Sequence, residues 1–175
     1  MKLVRPTIEL HASFVDSLKE WAGQYQDGAE INEKYDLACT RDFAQWIDDL
    51  RAEEHVPSSP GRVCCTYMWI VEDNVFAGTI ALRHGLNDHL ANCGGHIGYS
   101  IRPSYRNRGL ATAALAHTKD IAQRMGIERL LLTCAEDNFA SQSVIRSNGG
   151  VLDDIRHNDN GQRYMRFWID LRGEE

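Results

Sequence analysis

Arg106-Asn107-Arg108-Gly109-Leu110-Ala111 is the stretch on which the fold turns. It comes soon after an apolar run stopped by Pro103 and opens the amphipathic run Leu110 to Met125, which makes it a loop between a strand and a helix. Such a loop attracts anions, because free backbone N–H groups and the positive end of the helix dipole converge on it. Gly109 allows close backbone approach, Ala111 adds little bulk, and Arg106 and Arg108 supply charge, so a pyrophosphate would fit. Two competing phosphate patterns are excluded. Gly-x-Gly-x-x-Gly is absent, since Gly94-Gly95-His96-Ile97-Gly98 precedes a strand where that fingerprint must follow one, and the Walker pattern with its lysine is absent too.

Outward from this loop, hydrophobic periodicity divides the chain into helices and strands. His96 to Arg102 is the strand before the loop, Gly126 closes the helix after it, and Arg129 to Cys134 follows as a short buried strand. A helix from about Asn138 ends at Gly149-Gly150, and strands Val151 to His157 and Arg163 to Leu171 flank the turn Asn158-Asp159-Asn160-Gly161. On the other side, Arg62 to Glu72 and Val75 to Arg83 form a hairpin around Asp73-Asn74, and His84 to Gly95 is a loop. Near the N-terminus a short strand at Leu3 to Arg5 precedes Phe14, Leu18, Trp21, Ala22 and Tyr25, which share one helical face with Ser13 as N-cap. Phe43, Trp46, Ile47 and Leu50 repeat that pattern behind Thr40. The order is β-α-α-β-β-β-α-β-α-β-β, an α/β class fold.

At 175 residues the chain makes one domain, spanning 1–175, and 43% hydrophobic residues with 25% charged ones describe an ordinary globular core. The net charge of −6 argues against binding a phosphate backbone, so no nucleic acid is expected. The charge is uneven: residues 1–60 hold 6 basic and 12 acidic side chains, residues 101–150 hold 7 and 4. This suits an anionic cofactor on the C-terminal half and a cationic substrate on the N-terminal half. Five cysteines without a Cys-x-x-Cys pair, a start broken by charge and Pro6, and no apolar run near about 18 residues point to a reducing, cytoplasmic setting without a membrane.

The sequence resembles the GNAT acyltransferase superfamily, in which an Arg/Gln-x-x-Gly-x-Gly/Ala loop follows the same element order. The resemblance is most specific from Gly94 to Gly150, where Gly-His-Ile-Gly-Tyr-Ser-Ile-Arg-Pro, the Arg106 loop, and Asn138-x-x-Ser141 to Gly149-Gly150 fall in the family's order. It implies a mixed, splayed β-sheet flanked by helices, with acetyl coenzyme A as co-substrate. Arg106, Asn107, Arg108, Gly109, Leu110, Ala111 and Thr112 would cradle the pyrophosphate. Tyr99, Ser100 and Ile101 would pair through their backbone with the pantetheine arm, and Asn138 would touch that arm from the following helix or serve as its N-cap.

Transfer to an amine needs a base to keep the nucleophile neutral and often an acid for the departing thiolate. His96 stands on the strand where many family members carry a catalytic Glu and is the expected base. The family's usual acid is a Tyr, but the matching position here is Ile145, which leaves Ser141 as the first substitute. Arg83, His84 and Asn87 are expected on the acceptor side. His84, His89 and His96 fit no ligand spacing, so no metal is expected, and Cys134 is read as a packed residue. The expected reaction is transfer of acetyl to a primary amine, either a small molecule or a peptide, in a ternary complex. The different-class reading is a catalytically silent coenzyme A-binding module, the variant among enzymes is a protein N-terminal acetyltransferase, and a homodimer is compatible with the chain.

Overall fold

The computed structural model describes residues 1–158 and 160–172, so Asp159 of the expected last turn lies outside the described residues. In chain order the elements are β1 (Lys2–Val4), α1 (His11–Trp21), α2 (Thr40–Ala52), β2 (Cys65–Glu72), β3 (Val75–Arg83), α3 (Asp88–Asn92), β4 (Ile97–Ile101), α4 (Leu110–Arg124), β5 (Arg129–Ala135), α5 (Phe139–Ser147), β6 (Val151–His157) and β7 (Arg163–Asp170). Short 3-10 turns precede α1 and follow β4. The expected order holds, with α3 added inside the His84 to Gly95 loop. Asn87 nucleates that single turn by accepting a hydrogen bond from the Leu90 N–H at 2.8 Å.

The strands form two antiparallel sheets, β1-β2-β3-β4 and β5-β7-β6, with helices against them. Alternation along β2 sends Met68 and Ile70 to one core and Tyr67, Trp69 and Val71 to the other, so both faces of this strand are buried. The first core, shared with α4, α5 and the second sheet, is mostly aliphatic. The second, under α1 and α2, is aromatic, with Phe14 at the centre of ring contacts to Phe43, Trp46, Trp69 and Phe76 at 4.9 to 5.5 Å between centroids.

Two local expectations fail at α1. The helix begins at His11, and the Ser13 hydroxyl, instead of capping it, accepts the Phe76 N–H at 2.9 Å. It also stops at Trp21, because Ala22 takes a left-handed conformation with φ 47°, which leaves Tyr25 in an exposed loop. That early stop frees the loop that follows to lay Asp27 and Gly28 against β4.

Candidate active site

The two sheets touch at one end and part at the other. At the closed end Gly95 bridges Leu132, the His96 N–H donates to the Leu131 carbonyl at 2.7 Å, and the Gly94 N–H donates to Thr133 Oγ1 at 2.9 Å. Beyond His96, β4 pairs only with β3. The Arg102 N–H donates to the Ala77 carbonyl on β3, so by alternation the peptide groups of Gly98 and Ser100 also turn to β3 while those of Tyr99 and Ile101 face the cleft. The Ile101 carbonyl is met there by Arg106 Nε at 3.2 Å.

The cleft leads from β4 into the start of α4. Asn107 and Gly109 both have positive φ, 61° and 74°, and Gly109 occupies the N-cap position without any side-chain cap. The first N–H groups of α4 therefore point outward with no capping side chain. Nothing lies within 4 Å of where a Cβ on Gly109 would stand, so a ligand could approach the backbone there. Leu110 is buried and can offer only its N–H. Arg106 stacks over the Trp21 ring at 5.1 Å, whereas Arg108 stacks over Tyr105 at 4.6 Å and reaches the Ser104 carbonyl and Glu72. The Arg102–Glu20 pair at 2.6 Å braces this corner, and with Ser104 N–H it holds the Glu20 carboxyl down to about 2.

Across the cleft, Asn138 Oδ1 accepts the Ser141 N–H at 3.0 Å and caps α5, which leaves its amide NH2 for other contacts. The Tyr99 hydroxyl spans the gap and donates to Ser141 Oγ at 3.2 Å. Burial pushes the Tyr99 hydroxyl up to about 12, so it stays protonated. Burial likewise pushes the Cys134 thiol up to about 11, against any role as nucleophile.

Two expected assignments need correction. Ser100 turns its peptide to β3 and donates its hydroxyl to the Asp27 carbonyl at 2.7 Å, so it has nothing left for a ligand in the cleft. His96 is buried, and its Nδ1 accepts the Leu131 N–H at 2.9 Å. That bond fixes the neutral ring with its proton on Nε2, the opposite of a ready base. Burial, then the neighbouring Arg83 charge, holds the imidazole down to about 4. A Cβ at Gly95 would strike the Leu131 carbonyl, so this glycine lets the sheets meet.

On the far side of β4 a cavity of about 230 Å³ is lined by Tyr25, Glu30, Arg62, Tyr67, Arg83 and Asn87 among others. Arg62 reaches Glu30 at 2.9 Å and Glu53 at 3.6 Å, and the Tyr67 hydroxyl donates to Glu53 at 3.0 Å. Arg83 spends one nitrogen on the Gly94 and Gly95 carbonyls and sets the other 3.6 Å from Asp27. Arg83 and Asn87 thus both line this cavity. His84 does not: its Nε2 bonds Thr66 Oγ1 at 2.9 Å, outside the lining, and burial lowers its affinity for a proton.

The acetyltransferase (GNAT) domain family matches residues 7–151, most of the chain. The chain belongs to the GNAT acetyltransferase family. No curated protein sequence gives a match. Among solved structures, Mycobacterium smegmatis RimJ in complex with CoA-disulfide is 19% identical, with a TM-score of 0.71 over 96% of this chain and 80% of that one. The microcin C7 self-immunity acetyltransferase MccE, in complex with acetyl-CoA and AMP, is 15% identical, TM-score 0.67, over 96% and 91%. An acetyl transferase from Salmonella typhimurium that modifies the N-terminal serine of ribosomal protein L7/L12 is 15% identical, TM-score 0.66, over 96% and 93%. At these identities the neighbours show the shared fold.

As a GNAT enzyme the protein departs from its family's pattern at Ile145, which is buried in the aliphatic core against Gly150. Asp27, Glu30, Arg62 and Tyr67 were not singled out from the sequence, and Tyr25 was read only as part of a helical face. The acidic excess of residues 1–60 was the available signal, but it spread over two helices when the relevant acids sit in and around the loop between them. Among the described residues no helix is long and apolar enough to cross a membrane, and no group of His, Cys, Asp or Glu could hold a metal.

Proposed function

We propose that this enzyme transfers an acetyl group from acetyl coenzyme A to a cationic primary amine by direct attack in a ternary complex. One observation carries the reading: the unpaired edge of β4 at Tyr99 and Ile101 is followed, after one 3-10 turn, by the uncapped, left-handed entry to α4. That arrangement offers a strand partner to an amide-bearing arm and, next to it, converging N–H donors to a pyrophosphate. Bound acetyl coenzyme A supplies the thioester.

The chain's own groups do the rest. Leu110, Ala111 and Thr112 N–H groups hold the pyrophosphate, with Asn107 and Gly109 shaping the turn and Arg106 and Arg108 lending charge. Tyr99 and Ile101 hold the arm through their peptides, and the Asn138 amide meets it from α5. Ser141, which accepts the Tyr99 proton bond, keeps its own O–H free to donate to the departing thiolate. His96 ties the sheets together at the closed end and leaves the proton chemistry to other groups.

The cavity beside β4 receives the acceptor. Glu30, Arg62 and Arg83 line it, while Glu53 beside Arg62 and Asp27 beside Arg83 stand outside the lining; together the three carboxylates outnumber the two guanidinium groups, which favours an amine carrying positive charge. A peptide α-amine is the acceptor class favoured by the neighbours whose printed names describe N-terminal acetylation. The reducing, cytoplasmic setting read from the cysteines is the expected place of action.

The test is thiol release from acetyl coenzyme A with a panel of short peptides, polyamines and simple alkylamines. Turnover preferring cationic amines is expected. A protein that binds coenzyme A tightly yet releases no thiol with any amine would instead be the silent module that Ile145 at the family's Tyr position keeps in view.

A further inference from the structure

We propose that Asp27 is a catalytic residue, which binds the acceptor's ammonium group and takes its proton before attack. This rests on the acetyltransfer reading above and supplies the base that His96 does not. Asp27 belongs to the loop that follows α1, and that loop is pinned onto β4. Ser100 Oγ donates to the Asp27 carbonyl at 2.7 Å, and Thr79 Oγ1 donates to the Gly28 carbonyl at 2.9 Å. Gly98 and Gly28 face each other so closely that a Cβ on Gly28 would strike the Gly98 carbonyl. A Cβ on Gly98 would collide with the Asp27 carboxylate. The carboxylate is therefore laid on the middle of β4, beside the residue whose peptide opens into the cofactor cleft.

Its charge is incompletely answered. The nearest cation is the Arg83 guanidinium at 3.6 Å, whose other nitrogen is committed to two backbone carbonyls; beyond it the carboxylate has the Gly28 N–H, and the Asp27 side chain is 48% exposed. The neighbouring acids are engaged: Glu30 and Glu53 share Arg62, and Glu53 also accepts from Tyr67. Desolvation by the loop and strand raises the Asp27 carboxyl above its ordinary value, against the pull of Arg83, which makes it a better proton acceptor than a free carboxylate.

The step balances. An acceptor R–NH3⁺ gives a proton to the Asp27 carboxylate and becomes R–NH2, whose lone pair forms the C–N bond to the thioester carbonyl. The C–S bond then breaks, and the sulfur leaves with its electron pair and is protonated by water or by Ser141, which recovers its proton from solvent. The nitrogen's second proton passes to solvent, and Asp27 returns its proton to solvent before the next turn.

Two acceptors separate this role from a structural one: ethylamine, cationic at neutral pH, and 2,2,2-trifluoroethylamine, of similar shape but largely neutral. Asp27→Asn keeps the side-chain size. It should lower kcat with ethylamine about 100- to 10,000-fold, lower it less than about 10-fold with the neutral amine, and leave coenzyme A affinity unchanged. Asp27→Glu should recover part of the loss. The acidic limb of the wild-type pH–rate profile should vanish in Asp27→Asn. The charged or titrating groups around Asp27 are Arg83 from β3, Tyr25 from its own loop, Tyr99 from β4 and Tyr164 from β7, and the three tyrosines, all raised by burial, stay neutral across that limb. Equal losses with both amines, or no loss, would overturn the role of Asp27 while acetyltransfer stood. A wild-type protein that acetylates neither these amines nor the panel would overturn the acetyltransfer reading and this proposal with it.

Discussion

The two halves of the proposed site are built from different materials. The cofactor cleft is made of backbone: an unpaired strand edge at Tyr99 and Ile101, and the uncapped first turn of α4 behind Gly109. The acceptor cavity is made of side chains, with Glu30, Arg62 and Arg83 in its lining and Glu53 and Asp27 set against those arginines from outside it. A backbone site changes little when side chains are swapped and fails when the chain's local conformation is altered. A side-chain site can be retuned one charge at a time. The acceptor can thus vary on this fold without disturbing cofactor binding.

The largest expected effect breaks the backbone half. Gly109→Val forces a β-branched residue into φ 74° and blocks approach to the α4 N–H groups, and calorimetry should show coenzyme A affinity falling about 100-fold, near 2.7 kcal/mol. Unchanged affinity with the fold intact would mean the pyrophosphate lies elsewhere.

Next comes the closed end of the cleft. His96→Ala leaves the buried Leu131 N–H without its partner, so denaturant unfolding should show a loss of about 1–3 kcal/mol at pH 7. The folded pKa of about 4 lies below the ordinary 6.5, so the wild-type contribution is full above 6.5 and is lost as pH falls to 4. That slope should flatten in the variant. Loss of turnover without loss of stability would return His96 to the role of base.

Glu20→Gln weakens the brace beside the Arg106 loop and should cost about 1–2 kcal/mol at neutral pH. With the carboxyl held at about 2 against 4.5, the contribution is present above 4.5 and lost as pH drops toward 2. Smallest is Glu30→Gln, which removes one cavity charge and should raise KM for a cationic amine about 3- to 10-fold with coenzyme A affinity constant. A shift in both constants would show that the halves are not separate.

The same division explains what was legible in the sequence. Gly109 and the helix it opens are local features, read directly from turn chemistry and periodicity. Tyr99, Ser100 and Ile101 came from the family resemblance, and which edge each peptide faces depends on pairing with β3, which is what removed Ser100. Asn138 was readable as a cap because its partner, Ser141, is three residues on. His96 failed because its partner, Leu131, is 35 residues away, and a glycine beside it signals close approach without saying of what. Asp27 was hidden by the early end of α1 at Ala22, where a residue other than glycine takes a left-handed conformation.

Residue-resolved amide exchange by NMR, with and without coenzyme A, tests most directly that the cofactor is held by backbone. Slowed exchange at the Tyr99 and Ile101 amides and at Leu110, Ala111 and Thr112 is predicted, with residues Tyr25 to Glu30 unchanged. Protection concentrated around Tyr25 to Glu30 and Arg62, with the β4 edge and the start of α4 unaffected, would contradict it.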